Sequence, residues 1–210
     1  MIFRFDKYRR DTGFRFIKGC YAGCEKKLRE GFEASENGFV ANVSAGHIEP
    51  LVRDYIAAQT EELFLFIEKP CSLAEEEPDE RGVVTQPHVN VYYWDGITKE
   101  DANAVLDEYG EWLINDGMTH FGFGVKGFAS EIMKKAYNVI SLYSRNPAQE
   151  RLLMERWLPE TQELRTAWDY FDRHHPGDCF RYDRDGKSVH DVVEELLRRG
   201  LYFAERKPVG

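Results

Sequence analysis

Long apolar runs are what this sequence lacks most plainly. The longest, residues 63–67 (LFLFI), is far short of the ~20 residues of a membrane-spanning helix, so no transmembrane segment is expected. The opening residues, MIFRFDKYRR, hold no apolar stretch of the kind a secretory leader needs. The expectation is a soluble, cytoplasmic protein.

Cysteine is scarce as well, at four in 210 residues. Cys20 and Cys24 stand four apart, and Cys71 and Cys179 are isolated. That spacing supports neither a redox C-x-x-C nor a disulfide or zinc framework. The His174-His175 pair with Asp178 and Cys179 is the densest group of ligand types. Adjacent histidines point to different sides of regular structure, so a helix end followed by a Pro-Gly turn is the better reading. No metal and no cofactor are expected. G-x-S-x-G, P-loop and Rossmann signatures are missing. The nearest Gly-rich string, Gly122-Phe123-Gly124 with Gly127, lies within and after a strand pattern rather than opening a helix.

Positive charge is short outside the first 30 residues. These hold nine Lys and Arg against four Asp and Glu, so a total of −9 leaves −14 on the rest. An acidic body repels phosphate backbones, and no nucleic-acid role is expected.

What is present is a large stock of core-forming side chains. Aromatic residues make up 14% of the chain and hydrophobic residues 42%, enough for a folded domain spanning 1–210 without staples. The clearest segment is 88–125. His88 to Trp94 alternates like a strand, and Thr98 with Asp101 makes an N-cap and capping-box relative. Ala102, Val105, Leu106, Tyr109, Trp112 and Leu113 form one helical stripe, Gly117 is the stop, and Phe121, Phe123 and Val125 start the next strand.

Elsewhere the patterns predict a hairpin from Ile2–Phe5 and Phe14–Ile17 and a helix through Tyr21, Cys24, Leu28 and Phe32. They predict a strand at 39–43, a helix opening at Pro50, a central strand at 63–68 and a strand at 137–143. Helices are expected after Asn146-Pro147, after Pro159 (Leu164, Ala167, Trp168, Phe171) and after Ser188, with short strands at 180–182 and 201–203. The order gives an α+β fold: a mostly antiparallel or mixed sheet with helices packed on it and a helix-rich C-terminal third. Residues 70–87 form one long loop with three Pro and the acids Glu75, Glu76, Glu77, Asp79 and Glu80.

Two functions compete. The first is an acidic protein-binding module of the immunity or inhibitor kind, docking a basic partner. The loop acids Glu75, Glu76, Glu77, Asp79 and Glu80 would steer, and Tyr92 and Trp94 would anchor. The second is a small-molecule enzyme or binder using a sheet-face pocket. If helix 99–115 covers the Val89, Val91 and Tyr93 side, the reverse side presents Asn90, Tyr92, Trp94 and His120 around a floor of Gly122 and Gly124, with His120 as acid-base group.

Overall fold

The computed structural model describes residues 13–125, 127, 130–145 and 147–209. Of the expected N-terminal hairpin, Ile2–Phe5 lies outside these. Phe14–Ile17 is described and is not a strand. Its backbone is tied down by side chains instead: Arg15 N–H donates to Ser44 Oγ and Ile17 N–H to Asn138 Oδ1. The helix expected through Tyr21–Phe32 does not form either. β1 (Cys20–Tyr21) is followed by a 3₁₀ turn at Glu25–Lys27 and then β2 (Gly31–Ser35). Tyr21 is 66% exposed, so it was never part of an apolar stripe.

Asn37-Gly38 turns the chain into β3 (Gly38–Asn42), which pairs with β2 as a hairpin. α1 (Ala45–Ala58) opens at Ala45, so Pro50 lies inside it rather than in its first turn. β4 (Leu63–Pro70) and β5 (His88–Ile97) flank the long loop. α2 (Lys99–Asn115) has the full capping box, in which the Thr98 and Asp101 side chains each accept from the other's backbone N–H. Gly117 follows its C-cap without a left-handed φ. It is needed for close approach: a Cβ there would lie 1.8 Å from the Gly19 carbonyl oxygen.

β6 (His120–Val125) and β7 (Ser130–Lys134) come next, then β8 (Val139–Ser144). The last of these begins two residues later than expected, because Tyr137 and Asn138 take φ of 54° and 63°. The Asn138 amide is fully spent on Ile17 N–H and the carbonyls of Arg15 and Val43. α3 (Pro147–Trp157) starts at its proline as expected. The helix expected after Pro159 is only a 3₁₀ turn at Ala167–Tyr170. Phe32 N–H donates to the Pro159 carbonyl and Thr161 N–H to the Phe32 carbonyl, so this backbone is bound to β2 and unavailable to a helix. β9 (Asp178–Cys179) pairs with β1. β10 (Asp183–Arg184) and β11 (Lys187–Ser188) form a small hairpin around Asp185-Gly186. α4 (Val189–Leu197), capped by Ser188, and β12 (Tyr202–Pro208) end the described chain.

Eight strands form one sheet in the order β12-β5-β4-β6-β7-β8-β3-β2, with every pairing antiparallel. The fold is α+β, as the sequence implied. The last third holds α3, α4, strands and turns. β5 and β6 flank β4 and so run parallel to each other, with α2 as the crossover between them. All four α-helices share one core with Leu63, Leu65 and Ile67 of β4 and Phe121, Phe123 and Val125 of β6. Burying such side chains stabilises by roughly 1.5–3 kcal/mol each.

Candidate functional site

The strand registers decide which side chains share a face. Leu65 of β4 is opposite both Trp94 and Phe123, and Ile67 is opposite both Tyr92 and Phe121. Asn90, Tyr92 and Trp94 therefore lie on the helix-covered face. His120, Gly122 and Gly124 lie on the other, together with Val89, Val91 and Tyr93. The expected grouping of all six on one face is corrected: Trp94 and His120 point to opposite sides. Trp94 packs beside Gly200 at the end of α4. Tyr92 is 8% exposed and meets Phe203 edge to face. The Asn90 amide donates to Glu75 and its oxygen accepts from Arg206.

The glycine floor is filled from within. A Cβ on Gly124 would come 2.1 Å from the Phe64 ring, and one on Gly122 2.6 Å from the Phe66 ring. Phe64, Phe66 and Tyr93 form a ring cluster there, with centroids about 6 Å apart. Gly122 and Gly124 make room for these rings.

His120 lies farther along that face, at the mouth of a cleft of about 1090 Å³. One wall is the end of the sheet, where β12, β4, β6 and β7 contribute Lys207, Glu68, His120 and Met133, with Lys135 just beyond. Glu68 stands directly across from His120. Its carboxylate is 3.3 Å from His120 Nδ1 and 2.5 Å from Lys207 Nζ. These partners hold the Glu68 carboxyl at about 2, His120 contributing most, against the opposing effect of burial. Lys135 has no hydrogen bond or ion pair through its side chain among the described residues.

The opposite wall is aromatic and aliphatic. Tyr137 packs edge-on against Trp168 at 4.9 Å and Phe171 at 4.8 Å, and Trp168 remains 58% exposed. Leu73 and Val84 of the long loop and Met118 extend the apolar lining.

The loop acids do not all face outward. Glu75 accepts from Ser72 N–H and Asn90, and lies 3.7 Å from the buried Lys69 ammonium. Its carboxyl is held at about 2, the Ser72 backbone N–H being the largest cause. Glu76 accepts from the backbone and imidazole of His88. Asp79 accepts from Val83 N–H and from Arg81. Glu77 and Glu80 are exposed. The run is thus mostly the loop's own fastening.

The His174–Cys179 group also resolves into local structure. No helix ends there. The Asp172 carboxylate accepts from the backbone N–H of His174 and His175. Cys179 leaves the group to meet Cys20, with the sulfurs 3.5 Å apart. Beneath them Lys134 is fully buried, its ammonium donating to the carbonyls of Asp116 and Thr119. Sequence reading missed Glu68, Lys134, Lys135 and Lys207. Only Lys134 carried a signal, as a charge at an inward position of an otherwise alternating strand.

Among the described residues no group of three or more His, Cys, Asp or Glu is placed to hold a metal ion, and no helix is long and apolar enough to cross a membrane. No family model, curated protein or solved structure matches this chain.

Proposed function

We propose that this protein binds a small organic molecule with an apolar body and one acid group, in the cleft beside His120. The open cleft reaching His120 carries the reading. Its lining is mostly apolar with a few convergent polar groups, the composition expected of a ligand site. Charge suggests the ligand's sign. Glu68 is bound by Lys207 and Glu76 by His88, while the Lys135 ammonium, which makes no hydrogen bond or ion pair among the described residues, lines the cleft as the charge an anionic group on the ligand would meet. Trp168 and Tyr137 supply ring faces for the apolar body. Glu68 orients the His120 ring, the arrangement in which an imidazole exchanges a proton with a bound ligand.

The acidic docking reading draws less support, since Glu75, Glu76 and Asp79 are engaged within the protein and Tyr92 is buried.

Anilinonaphthalene sulfonate, an apolar fluorophore with one sulfonate, is a suitable probe. The expected result is saturable one-to-one binding to the folded protein. Lys135→Glu should weaken it by about tenfold or more, equal to ~1.4 kcal/mol, while Glu77→Gln leaves it unchanged. Binding that is absent, or indifferent to Lys135→Glu and Trp168→Ala, refutes the reading.

A further inference from the structure

β1 and β9 have two residues each, yet they place Cys20 directly opposite Cys179, 159 residues later in the chain. The adjacent pair carries the ladder bond, Phe180 N–H to the Gly19 carbonyl. The cysteines therefore occupy the neighbouring non-hydrogen-bonded position, where side chains stand closest. Closing their 3.5 Å contact to a disulfide of about 2.0 Å asks for a small side-chain movement. Cys20 is fixed from behind, because Gly19 and Gly117 bring their backbones into direct contact.

The two sulfurs differ in access. Cys20 is buried and accepts the Tyr137 backbone N–H at 3.4 Å. Cys179 is half-buried and lines the cleft. Lys134 supplies a second, independent feature. Among the described residues its buried ammonium hydrogen-bonds to carbonyl oxygens only. The nearby Asp116 carboxylate is already bound to the N–H groups of Met118, Thr119 and Tyr182. A buried cation without a bonded counter-ion is costly, and a thiolate beside it relieves that cost. The directions agree: the Cys20 hydrogen bond, then Tyr137 and the Lys134 charge, pull the Cys179 thiol down against burial and Asp116. Sharing its proton with Cys179, and burial, push the Cys20 thiol up.

We propose that Cys20 and Cys179 are a redox-active dithiol that reduces hydroperoxides, with Cys179 the attacking sulfur and Cys20 the resolving one. The Cys179 thiolate attacks the terminal oxygen of the hydroperoxide. A sulfur–oxygen bond forms, the oxygen–oxygen bond breaks, and its electron pair leaves on an alkoxide that takes up a proton to become the alcohol (water, for hydrogen peroxide). Cys179 is now a sulfenic acid. Cys20 attacks that sulfur, the disulfide forms, and the departing hydroxide takes the Cys20 proton to leave as water. Two thiols and one hydroperoxide give one disulfide, one alcohol and one water, a two-electron oxidation. Two equivalents of a small thiol restore the pair by exchange and are themselves joined as a disulfide.

The test is one equivalent of hydrogen peroxide on the reduced full chain, followed by intact mass and peptide mapping. The expected product has lost two hydrogens, carries a Cys20–Cys179 crosslink and is restored by dithiothreitol. In Cys20→Ser the oxidation stops at a Cys179 sulfenic acid that dimedone traps, and Cys179→Ser forms no crosslink. Lys134→Met slows iodoacetamide alkylation of Cys179 at neutral pH severalfold, because the thiolate loses the neighbouring positive charge. If Lys134→Met does not fold, Tyr137→Phe serves for the same comparison, with slowing expected. An unchanged mass, or oxidation mapped to Cys24 or Cys71, overturns the proposal. It does not rest on the ligand reading, since fluorophore binding and crosslinking are scored separately.

Discussion

Lys134→Met tests the electrostatics at the centre of the molecule. Burial pushes the Lys134 ammonium down from 10.5 to about 8, against the raising effect of Cys20, Asp116 and Cys179. At ~1.4 kcal/mol per pH unit, holding it charged below pH 8 costs the native state about 3 kcal/mol. Between those two pH values the unfolded chain keeps its proton while the folded chain has released it. Stability from this group therefore rises with pH across the window and is lowest below it. Methionine removes the cost but leaves the Asp116 and Thr119 carbonyls without their donor, a penalty of about 1–3 kcal/mol. The net change at neutral pH is thus small. The change in slope is not: relative to the variant, the natural protein should gain about 3 kcal/mol on going from neutral pH to 10.5. For a chain of this length each kcal/mol moves Tm by about 2–4 °C, so the gap between the two melting curves should shift by about 6–12 °C. Thermal unfolding of both proteins, fully reduced, across that range gives the answer. Tyr55 and Tyr109, both pushed upward by burial, are common to both and cancel in the difference, while the Cys179 thiol, which Lys134 pulls down, titrates in the same window and widens the gap in the same direction. Parallel curves would refute the assignment of Lys134 as a buried ammonium.

Two further outcomes concern the sheet and its cleft. Gly122→Ala sets a methyl 1.9 Å from the Ile132 carbonyl oxygen, which is backbone, whereas Gly124→Ala meets only the Phe64 ring. Urea unfolding should show a loss of about 1–3 kcal/mol for Gly124→Ala and a larger one for Gly122→Ala; the reverse order would contradict the ring-over-glycine packing. Glu68, held at about 2 rather than 4.5, contributes stability that is present above pH 4.5 and lost as pH falls toward 2. Glu68→Gln should flatten that part of the acid-unfolding profile, and an unchanged profile would show that His120 and Lys207 do not hold the carboxylate.

The features legible in the sequence were those made by neighbours along the chain. The Thr98–Asp101 box, the 102–113 stripe and the apolar β4 each depend on bonds or side-chain periods within a few residues. β5 defeated the same reasoning because both its sides are apolar enough to be covered. Val91 on one and Tyr92 on the other are each buried, and alternation alone does not say which side receives the helices. Tyr21–Phe32 mimicked helical spacing only because a 3₁₀ turn lies between two strands. The helix expected after Pro159 failed for another reason: the Pro159 and Thr161 backbones bond to Phe32 of β2, and Leu164 N–H donates to the Glu33 carboxylate.

Residue order by itself set the element types around α2, the antiparallel α+β class and the acidic balance, because short-range hydrogen bonding and side-chain period determine these. Only the tertiary structure decided that Trp94 and His120 part company, that Glu75 and Glu76 turn to Asn90 and His88, and that Cys20 meets Cys179 near Lys134. Those outcomes depend on strand register and on contacts between segments up to 159 residues apart, and no local pattern encodes a pairing at that distance.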